Sequence, residues 1–380
     1  MKNISSIFSG KISVNNLLIY SAFVSVFLPY YIPVIFLLAA ATYLFITKKV
    51  TFELKYKYIP WLLAFIAYSS VIALLNKNFN GVIYSLGIFL MVYFSVFVKN
   101  NMTAEVFENS LSLCCISGLI TSFISIGDMA FFLLNGGTGK HRSTLYFFNC
   151  NYLATILAIV VIICAYKFLL HKGKPLFYVI TALFCAIAMY LTGSMFVWVE
   201  VFVGIAVLLR TTRKHQLLSV LLLAFATVLT VIYFVPQLIP RVQDLFVTTD
   251  NRKGIWKISL DSIKSTPFFG RGFMTYKHIV KNYPGAYPTS HSHNILLECL
   301  MDFGIIGTML LLIYILNYFK RLFLCRGAQS RLFFSSLIIS LLLSLIAHGT
   351  TDLTFLWTQT GFLYCLLMCG IGPEEKLLKI

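Results

Sequence analysis

Apolar residues fill long uninterrupted runs, and short polar segments separate one run from the next. Crossing a bilayer as a helix takes roughly 20 apolar residues, and many of these runs approach that length. The first run, 16–47, contains Pro29 and Pro33, which split it into two short, tilted spans. Further spans are predicted near 58–75, 80–98, 110–127, 150–168, 175–192, 195–209, 216–235, 303–319, 331–348 and 353–371. The pattern therefore predicts about twelve transmembrane helices, or eleven if the first run is a single span.

Composition agrees with this interpretation. Of 380 residues, 59% are hydrophobic and only 11% are charged, which is too little polar surface for a soluble domain of this size. The first run is too long for the apolar core of a signal peptide and lacks a small-residue cleavage site. The weak alternation of an outer-membrane barrel is absent. We therefore predict an all-α polytopic membrane protein with one long external loop containing amphipathic helices.

The distribution of positive charge predicts the orientation. Most of the 30 Lys and Arg residues fall in segments that a twelve-span topology with an internal N-terminus places inside, whereas short outer loops hold only Lys77, Lys140 and Arg142. Cytoplasmic loops of membrane proteins are enriched in Lys and Arg. Both termini are therefore expected in the cytoplasm. The net charge of +17 then reflects topology, and we expect no nucleic-acid partner because no nucleic-acid-binding motif accompanies it.

Three regions follow from this topology. We expect transmembrane helices 1–9 in residues 1–235, a long external loop with substrate-binding residues in 236–292, and a catalytic-motif helix with transmembrane helices 10–12 in 293–380. No nucleotide fingerprint and no Cys or Cys/His cluster with metal-ligand spacing is present, so we expect no cofactor and no metal.

The long external loop is basic, although long translocated loops are exempt from the charge rule. Its charged residues include Arg241, Arg252, Lys253, Lys257, Lys264, Arg271, Lys277 and Lys281 against Asp244, Asp250 and Asp261. One explanation is a bound anion, because the planar fork of arginine suits phosphate. The other is a solvated basic loop beside anionic lipid headgroups. Arg252 in particular could simply be a snorkelling side chain.

An amphipathic helix is predicted after residue 251 and is broken by the turn formers of 266–272. Its apolar side carries Ile255, Ile258, Leu260 and Ile263, which we expect to rest on the membrane surface, with Trp256 as an interfacial anchor.

Ionisable side chains gather in His291-Ser292-His293-Asn294, where the long polar stretch returns to an apolar chain. Such groups are costly at a membrane edge, which suggests a site. Asn294, Glu298 and Asp302 follow at helical spacing and would share one face. Glu298 then either orients His293, binds acceptor sugars or is a solvated interfacial residue.

Three other polar residues lie in or beside spans. Glu200 lies inside a predicted span, where an unpaired charge is costly, so we expect it to have a partner or to be neutral. His348 and Asp352 flank the last outer turn. They are expected to be solvated rather than to line a cavity.

Several motifs in order resemble the O-antigen ligase and polymerase superfamily, whose members share the Wzy-C region. Arg142 followed by F-N-C-N-Y-L-A at 148–154 is similar to the family pattern R…F-x-N-P-N-Y-L-A. L-T-G-S at 191–194, Arg252 with Trp256, and P-F-F-G at 267–270 resemble further family motifs. H-N at 293–294, nine residues, then G-I-I-G-T at 304–308 fits the ligase signature H-[NSQ]-x9-G-x-x-G-[TV]. The family usually has Arg after L-T-x-S, where this chain has Met195. Arg271 or Lys140 are candidates to compensate for the missing arginine.

The resemblance implies a reaction at the outer face of the bacterial inner membrane. Family members transfer a glycan from undecaprenyl diphosphate to an acceptor hydroxyl without a metal or a nucleotide. It also implies roles for residues. His293 would be the base, because an ordinary histidine pKa of about 6.5 suits proton transfer near neutral pH. His293 could instead only bind the acceptor or cap the following helix. Arg142, Arg252 and Arg271 are candidates to bind the diphosphate, with Asn294, Glu298 and His291 as supporting residues.

Three functions remain open. The first is a polymerase of lipid-linked repeat units, with a chain-length regulator as its partner, and the pattern around His293 favours it. The second is a ligase that transfers the finished glycan to lipid A–core. The third is a transporter or flippase of a lipid-linked sugar, which should show repeated halves and broken helices at the membrane midplane. Gly304 and Gly307 are expected to permit close helix packing rather than to contact substrate.

Overall fold

The computed structural model describes residues 12–138, 141–171, 173–238, 245–328 and 334–377. Within these ranges the chain is helical and contains no β-strand. In chain order the helices are α1 (Val14–Ser25), α2 (Tyr31–Ile46), α3 (Tyr58–Leu75), α4 (Phe79–Asn101), α5 (Ala104–Leu134), α6 (Cys150–Leu169), α7 (Pro175–Thr192), α8 (Val197–Thr211), α9 (His215–Phe234), α10 (Leu245–Ser265), α11 (Thr275–Ile279), α12 (Ile295–Ala328), α13 (Phe334–Gly349), α14 (Thr358–Met368) and α15 (Ile371–Leu377). Short 3₁₀ turns lie at Pro236–Leu238, Val280–Asn282 and Thr354–Leu356.

Seven described helices, α3 to α7, α9 and α12, are long and apolar enough to cross a membrane, and α1, α2 and α13 are shorter apolar helices. The class of polytopic helical membrane protein is therefore supported, while the count of twelve spans stays a prediction. The first apolar run forms two helices, as predicted. The chain breaks around Pro29, whereas Pro33 lies in the first turn of α2, where a missing backbone N–H costs little.

Helix α6 is the centre of the bundle. Its side chains are buried almost all round, because α5, α7, α8 and α13 pack against it. A helix that is apolar on every face is expected only in such a position or in contact with lipid. Helix α9 is the opposite case: it is equally apolar, none of its residues is buried, and among the membrane helices it packs on α8.

Helix α12 is interrupted at Gly304, whose φ of 60° lies in the left-handed region. The 267–272 loop fills the break: the amide of Ile305 donates to the carbonyl of Pro267 at 2.9 Å, and that of Gly272 donates to the carbonyl of Asp302 at 2.7 Å. A Cβ on Gly304 would lie 2.4 Å from the backbone carbon of Phe268. The predicted close packing at Gly304 is confirmed, but its partner is loop backbone rather than a helix.

Helix α10 contains the predicted amphipathic segment and ends at Ser265, before the predicted break. The expectation that its apolar residues rest on the membrane is wrong for Ile255 and Ile258. Both are buried in a cluster with Tyr276 and Met301. The apolar face of α10 therefore docks on α11 and α12, which holds α10 against the helical bundle.

Candidate functional site

His293 and Asp352 form the centre of the candidate site. The Nδ1 atom of His293 lies 2.9 Å from Oδ1 of Asp352. The histidine comes just before α12 and the aspartate just after α13, so the pair joins residues 59 positions apart. The side chain of His293 is 22% exposed and that of Asp352 only 6%. The imidazole is therefore reachable while its partner is enclosed.

Asp352 is held by several donors. The Nδ2 atom of Asn151 donates to Oδ2 at 2.6 Å, and the amide of Leu353 donates to Oδ1 at 2.8 Å. Burial acts to raise the pKa of this carboxyl. The hydrogen bond and charge of His293, with smaller contributions from neighbouring histidines, outweigh burial and hold the pKa well below its usual range. The expectation of a solvated turn was therefore wrong for Asp352.

Backbone contacts fix the segment 291–294. His293 adopts a left-handed φ of 54°, which is uncommon for a residue with a side chain. Glu298 stabilises the preceding peptide, because its Oε2 accepts the amide of Ser292 at 2.6 Å. The indole Nε1 of Trp256 donates to the carbonyl of Ser292 at 3.1 Å. Trp256 thus ties α10 to this segment, and its assignment as a membrane anchor stays a prediction.

Asn294 caps the following helix. Its Oδ1 accepts the amides of Leu296 and Leu297 at 3.0 and 3.1 Å, the interaction expected of an N-cap residue. Its Nδ2 donates to the carbonyl of Thr350 at 3.1 Å, which ties the start of α12 to the end of α13. The capping role considered for His293 therefore belongs to Asn294.

His291 lies beneath the pair. Its Nε2 is 3.6 Å from Oδ1 of Asp352, and its ring meets that of His293 edge to face at 4.3 Å between centroids. Burial, reinforced by the neighbouring His293, lowers the pKa of His291 to about 4, so the ring is neutral near pH 7. Its Nδ1 has no hydrogen-bond partner among the described residues.

Glu298 and Asp302 share one helix face, as predicted, and both are buried. The alternative of a solvated interfacial Glu298 is therefore excluded. Asp302 accepts the amides of Met274 and Thr275 at 3.2 and 3.0 Å, at the start of α11. Glu298 therefore positions the backbone of the segment 291–294, and Asp302 positions the start of α11.

His291, His293 and Asp352 offer ligand atoms within 4.8 Å of one another, a geometry that can hold a cation. Only three donors are present in this group, and Asp352 Oδ1 already accepts from His293 and from a backbone amide. The absence of a metal requirement stays a prediction.

Arg252 projects from α10 towards the site. Its guanidinium carbon lies 5.3 Å from the ring centroid of Phe196, in a cation–π arrangement. Burial lowers the pKa of Arg252, whereas the nearby carboxylate of Asp352 raises it. The guanidinium and this carboxylate therefore interact electrostatically. A partly buried arginine over an aromatic ring does not fit the snorkelling alternative. The ring follows Met195, the position where the family usually has arginine.

Arg142 reaches the same cluster from the loop before α6. Its Nε donates to the carbonyl of Thr192 at 2.7 Å, and its Nη2 donates to Oδ1 of Asn151 at 3.2 Å. Because Asn151 also binds Asp352, a chain of hydrogen bonds connects the arginine to the central pair. The motif residues 142, 151 and 192 are thus neighbours in space.

Arg271 lies elsewhere. Its Nη2 donates to Oγ of Ser265 at 3.0 Å, and its backbone packs against Asn78 and Asp302. In the described ranges no contact joins Arg271 to His293 or Asp352. Its assignment to the diphosphate stays a prediction, and Lys140 lies outside the described residues.

Glu200 has the partners that its position inside a span demands. Its carboxylate lies 2.5 Å from Nδ1 of His348 and accepts the hydroxyl of Tyr364 at 3.0 Å. All three side chains are buried. The expectation of a partner is confirmed, and the expectation that His348 is solvated is wrong. Because Asp352 donates its amide to the carbonyl of His348 at 3.0 Å, this buried group supports the turn that carries Asp352.

Two residues of the cluster were missed from the sequence. Asp352 was noticed only as part of a turn, and Asn151 only as a motif letter. The sequence does contain a signal for Asp352, because acidic side chains are scarce beside the last spans. A carboxylate at a span boundary is costly unless it has partners, which predicts that Asp352 is bound by other groups.

One comparison with known proteins identifies part of the chain. Residues 180–312 match the family model described as Wzy_C, O-antigen ligase. The match includes L-T-G-S, Arg252 and the segment from His293 to Thr308. No curated protein matches the chain.

Proposed function

From an O-antigen ligase domain over residues 180–312, we infer that this protein is a membrane glycosyltransferase. We propose that it moves a glycan from undecaprenyl diphosphate to an acceptor sugar hydroxyl during surface-polysaccharide assembly. The observation that carries the proposal is the partly exposed His293, held by a buried Asp352 and flanked by Arg142 and Arg252. The proposed setting is the bacterial inner membrane, with the site at the external face and both termini in the cytoplasm.

His293 is the proposed base. A carboxylate only accepts hydrogen bonds, so Nδ1 of His293 carries the proton shared with Asp352, and Nε2 presents a lone pair. The hydroxyl of Thr289 donates to that nitrogen at 3.2 Å. The acceptor hydroxyl would have to take the place of Thr289 at this nitrogen. Asp352 also stabilises the imidazolium that forms when the proton is taken.

The leaving group requires positive charge rather than a second acid. The bond between the anomeric carbon and the diphosphate oxygen breaks, the acceptor oxygen bonds to that carbon, and its proton passes to His293. A diphosphate is stable as an anion, so fixed cations placed where the charge develops lower the barrier. Arg142 and Arg252 are the arginines near the central pair that suit this role. Arg271 would act only on a more distant part of the substrate.

The acceptor defines the subclass. We favour a polymerase that uses a second lipid-linked repeat unit, on the pattern around His293, with a chain-length regulator as a possible partner. The alternative is a ligase that uses lipid A–core. Both reactions need the same base and the same cations, so the described geometry supports them equally.

A transporter of lipid-linked sugar is the candidate from another class. The observation in its favour is the buried Glu200–His348 pair, because ionisable groups inside a membrane often mark transport pathways. Against it, Arg142 lies in the loop before α6 and Arg252 lies on α10, rather than at a break in a membrane-spanning helix.

A reconstituted assay tests the proposal. Purified protein in vesicles is given the lipid-linked glycan extracted from a strain that lacks this protein. Products of increasing length with release of undecaprenyl diphosphate support the polymerase. Transfer that appears only after lipid A–core is added supports the ligase. Movement of the lipid across the vesicle without any new glycosidic bond contradicts the enzyme.

A further inference from the structure

Aromatic side chains form a continuous surface beside the candidate site. The ring of Trp357 stacks on Tyr152 at 4.9 Å and 9° between planes, and on Phe148 at 5.6 Å and 24°. Tyr30 meets both Phe148 and Trp357, at 6.3 and 5.7 Å. We call these four residues the aromatic platform. Three separate segments contribute to it: the α1–α2 turn, the start of α6 and the segment before α14.

Phe148 is the outermost member and an unusual one. It is 76% exposed and its φ is 65°, in the left-handed region. A left-handed backbone costs on the order of 1 kcal/mol for a residue with a side chain, and an exposed phenyl ring recovers little of that cost by burial. Glycine or asparagine would satisfy this turn better. Packing within the protein therefore does not explain the ring at this position.

The platform adjoins the proposed reaction centre. Phe148 lies three residues before Asn151, whose side chain binds Asp352 at 2.6 Å. Trp357 follows Asp352 by five residues, across the Thr354–Leu356 turn. The same short segments thus carry both the groups around His293 and the stacked rings. Both therefore lie at the end of the helical bundle where α6 begins.

We propose that the aromatic platform binds a sugar ring of the glycan substrate, a few bonds from the reacting hydroxyl; this rests on the function proposed above. The apolar face of a pyranose presents C–H groups with partial positive charge, and an aromatic face is negative. Phe148, the most exposed ring of the stack, offers such a face, and its stacking on Trp357 holds it in place. A membrane-interface belt favours Trp and Tyr, whose polar tips contact water, whereas the most exposed ring here is phenylalanine.

Substitutions at Phe148 test the platform in the reconstituted assay. Phe148→Leu keeps an apolar side chain but loses the aromatic face, and we expect the KM for lipid-linked glycan to rise about five- to tenfold. Phe148→Tyr keeps the aromatic face, so its KM should stay close to that of the unaltered protein. Phe148→Gly removes the ring, so we expect the same rise in KM. Glycine also adopts the left-handed φ without strain, so the melting temperature should be unchanged or higher. The matched control is Phe131→Leu, an exposed phenylalanine near the end of α5, which should transfer normally.

A second arm separates glycan from lipid. Undecaprenyl diphosphate without a glycan is used as an inhibitor, and we expect its inhibition constant to be the same for Phe148→Leu and for the unaltered protein. Equal weakening of the inhibitor and the substrate would mean that the ring contacts the lipid carrier, and would overturn the platform. An unchanged KM in Phe148→Leu and Phe148→Gly would overturn it too, while leaving the proposed function intact. If the unaltered protein transfers no glycan, the proposed function fails and this inference fails with it.

Discussion

At the residue scale, His293 depends on the carboxylate behind it. Asp352 fixes which imidazole nitrogen carries the proton and provides the charge that stabilises the protonated ring. Its own environment keeps it ionised, because the hydrogen bond and the neighbouring histidines outweigh the cost of burial. The donors from Asn151 and Leu353 leave the carboxylate little freedom to turn.

Asp352→Asn should therefore slow transfer more than it weakens binding. The substitution keeps the size of the side chain but removes its charge, so the imidazolium formed in the reaction loses its stabilisation. We expect kcat to fall by about 100-fold with little change in KM. Steady-state kinetics in vesicles measure both constants. Asp261→Asn, an exposed aspartate of α10, is the control, and equal rates for both variants would exclude the role of Asp352.

His291 should make stability depend on pH. Its pKa is about 4 in the folded protein and near 6.5 when unfolded, so the unfolded chain binds the extra proton between these values. The stability from the neutral ring is complete above pH 6.5 and is lost as the pH falls towards 4, by up to about 3 kcal/mol. Melting temperatures of the detergent-solubilised protein should therefore drop over this range, and less steeply in His291→Gln. An equal fall in melting temperature with pH in the two proteins would show that His291 is not the group responsible.

Sequence patterns found some of these residues and missed others for a physical reason. His293, Arg142 and Arg252 lie in motifs that are local in the chain, so a pattern could identify them. Asp352 and Asn151 join the site through packing of α6 against the α13–α14 connection, across 201 residues. No local pattern contains that contact.

At the element scale, the 267–272 loop packs into the break in α12 and so connects α10 and α11 to the bundle. The left-handed Gly304 exposes backbone amides to the 267–272 loop, and Gly270 packs against the carbonyl of Asp302 in return. The sequence predicted a helix over residues 251–265 from its period but gave its apolar face the wrong partner. Periodicity shows that a face is apolar, and only tertiary packing decides whether protein or lipid covers it.

Gly304→Ala should be severely destabilising. The new Cβ would meet the backbone of Phe268 at 2.4 Å, and the residue would keep a strained positive φ. We expect a loss of about 2–4 kcal/mol, or failure of the protein to accumulate. Gly254→Ala is the control, because its Cβ meets nothing within 4 Å and alanine favours the helix by about 0.5–1 kcal/mol. Thermal unfolding in detergent compares them, and similar melting temperatures would rule out the proposed close approach.

At the scale of the whole molecule, the bundle has a polar end, and the positive charges predict its orientation. Central α6 and the buried Glu200–His348–Tyr364 group support the turn at Asp352 from inside. The distribution of Lys and Arg predicts that this end faces the outside of the cell. This orientation stays a prediction that rests on Lys and Arg counts, which need no tertiary information, whereas the buried group could not be predicted because distant helices had to meet.

Cysteine labelling in intact cells tests the orientation. Lys253→Cys on α10 should react with a membrane-impermeant maleimide added outside, because that residue is exposed on the external segment. Lys57→Cys, exposed just before α3, should react only after the membrane is opened. The unaltered protein controls for its own cysteines, most of which are buried. The reverse pattern of labelling would show that the topology is the opposite of the predicted one.

The central claim is that His293 takes the proton from the acceptor hydroxyl in a glycan transfer. The most direct measurement compares the unaltered protein with His293→Ala, reconstituted in the same vesicles with lipid-linked glycan. We expect release of undecaprenyl diphosphate by the unaltered protein and at least about a 100-fold slower release by the variant, with similar melting temperatures. Release at the same rate by both proteins would contradict it.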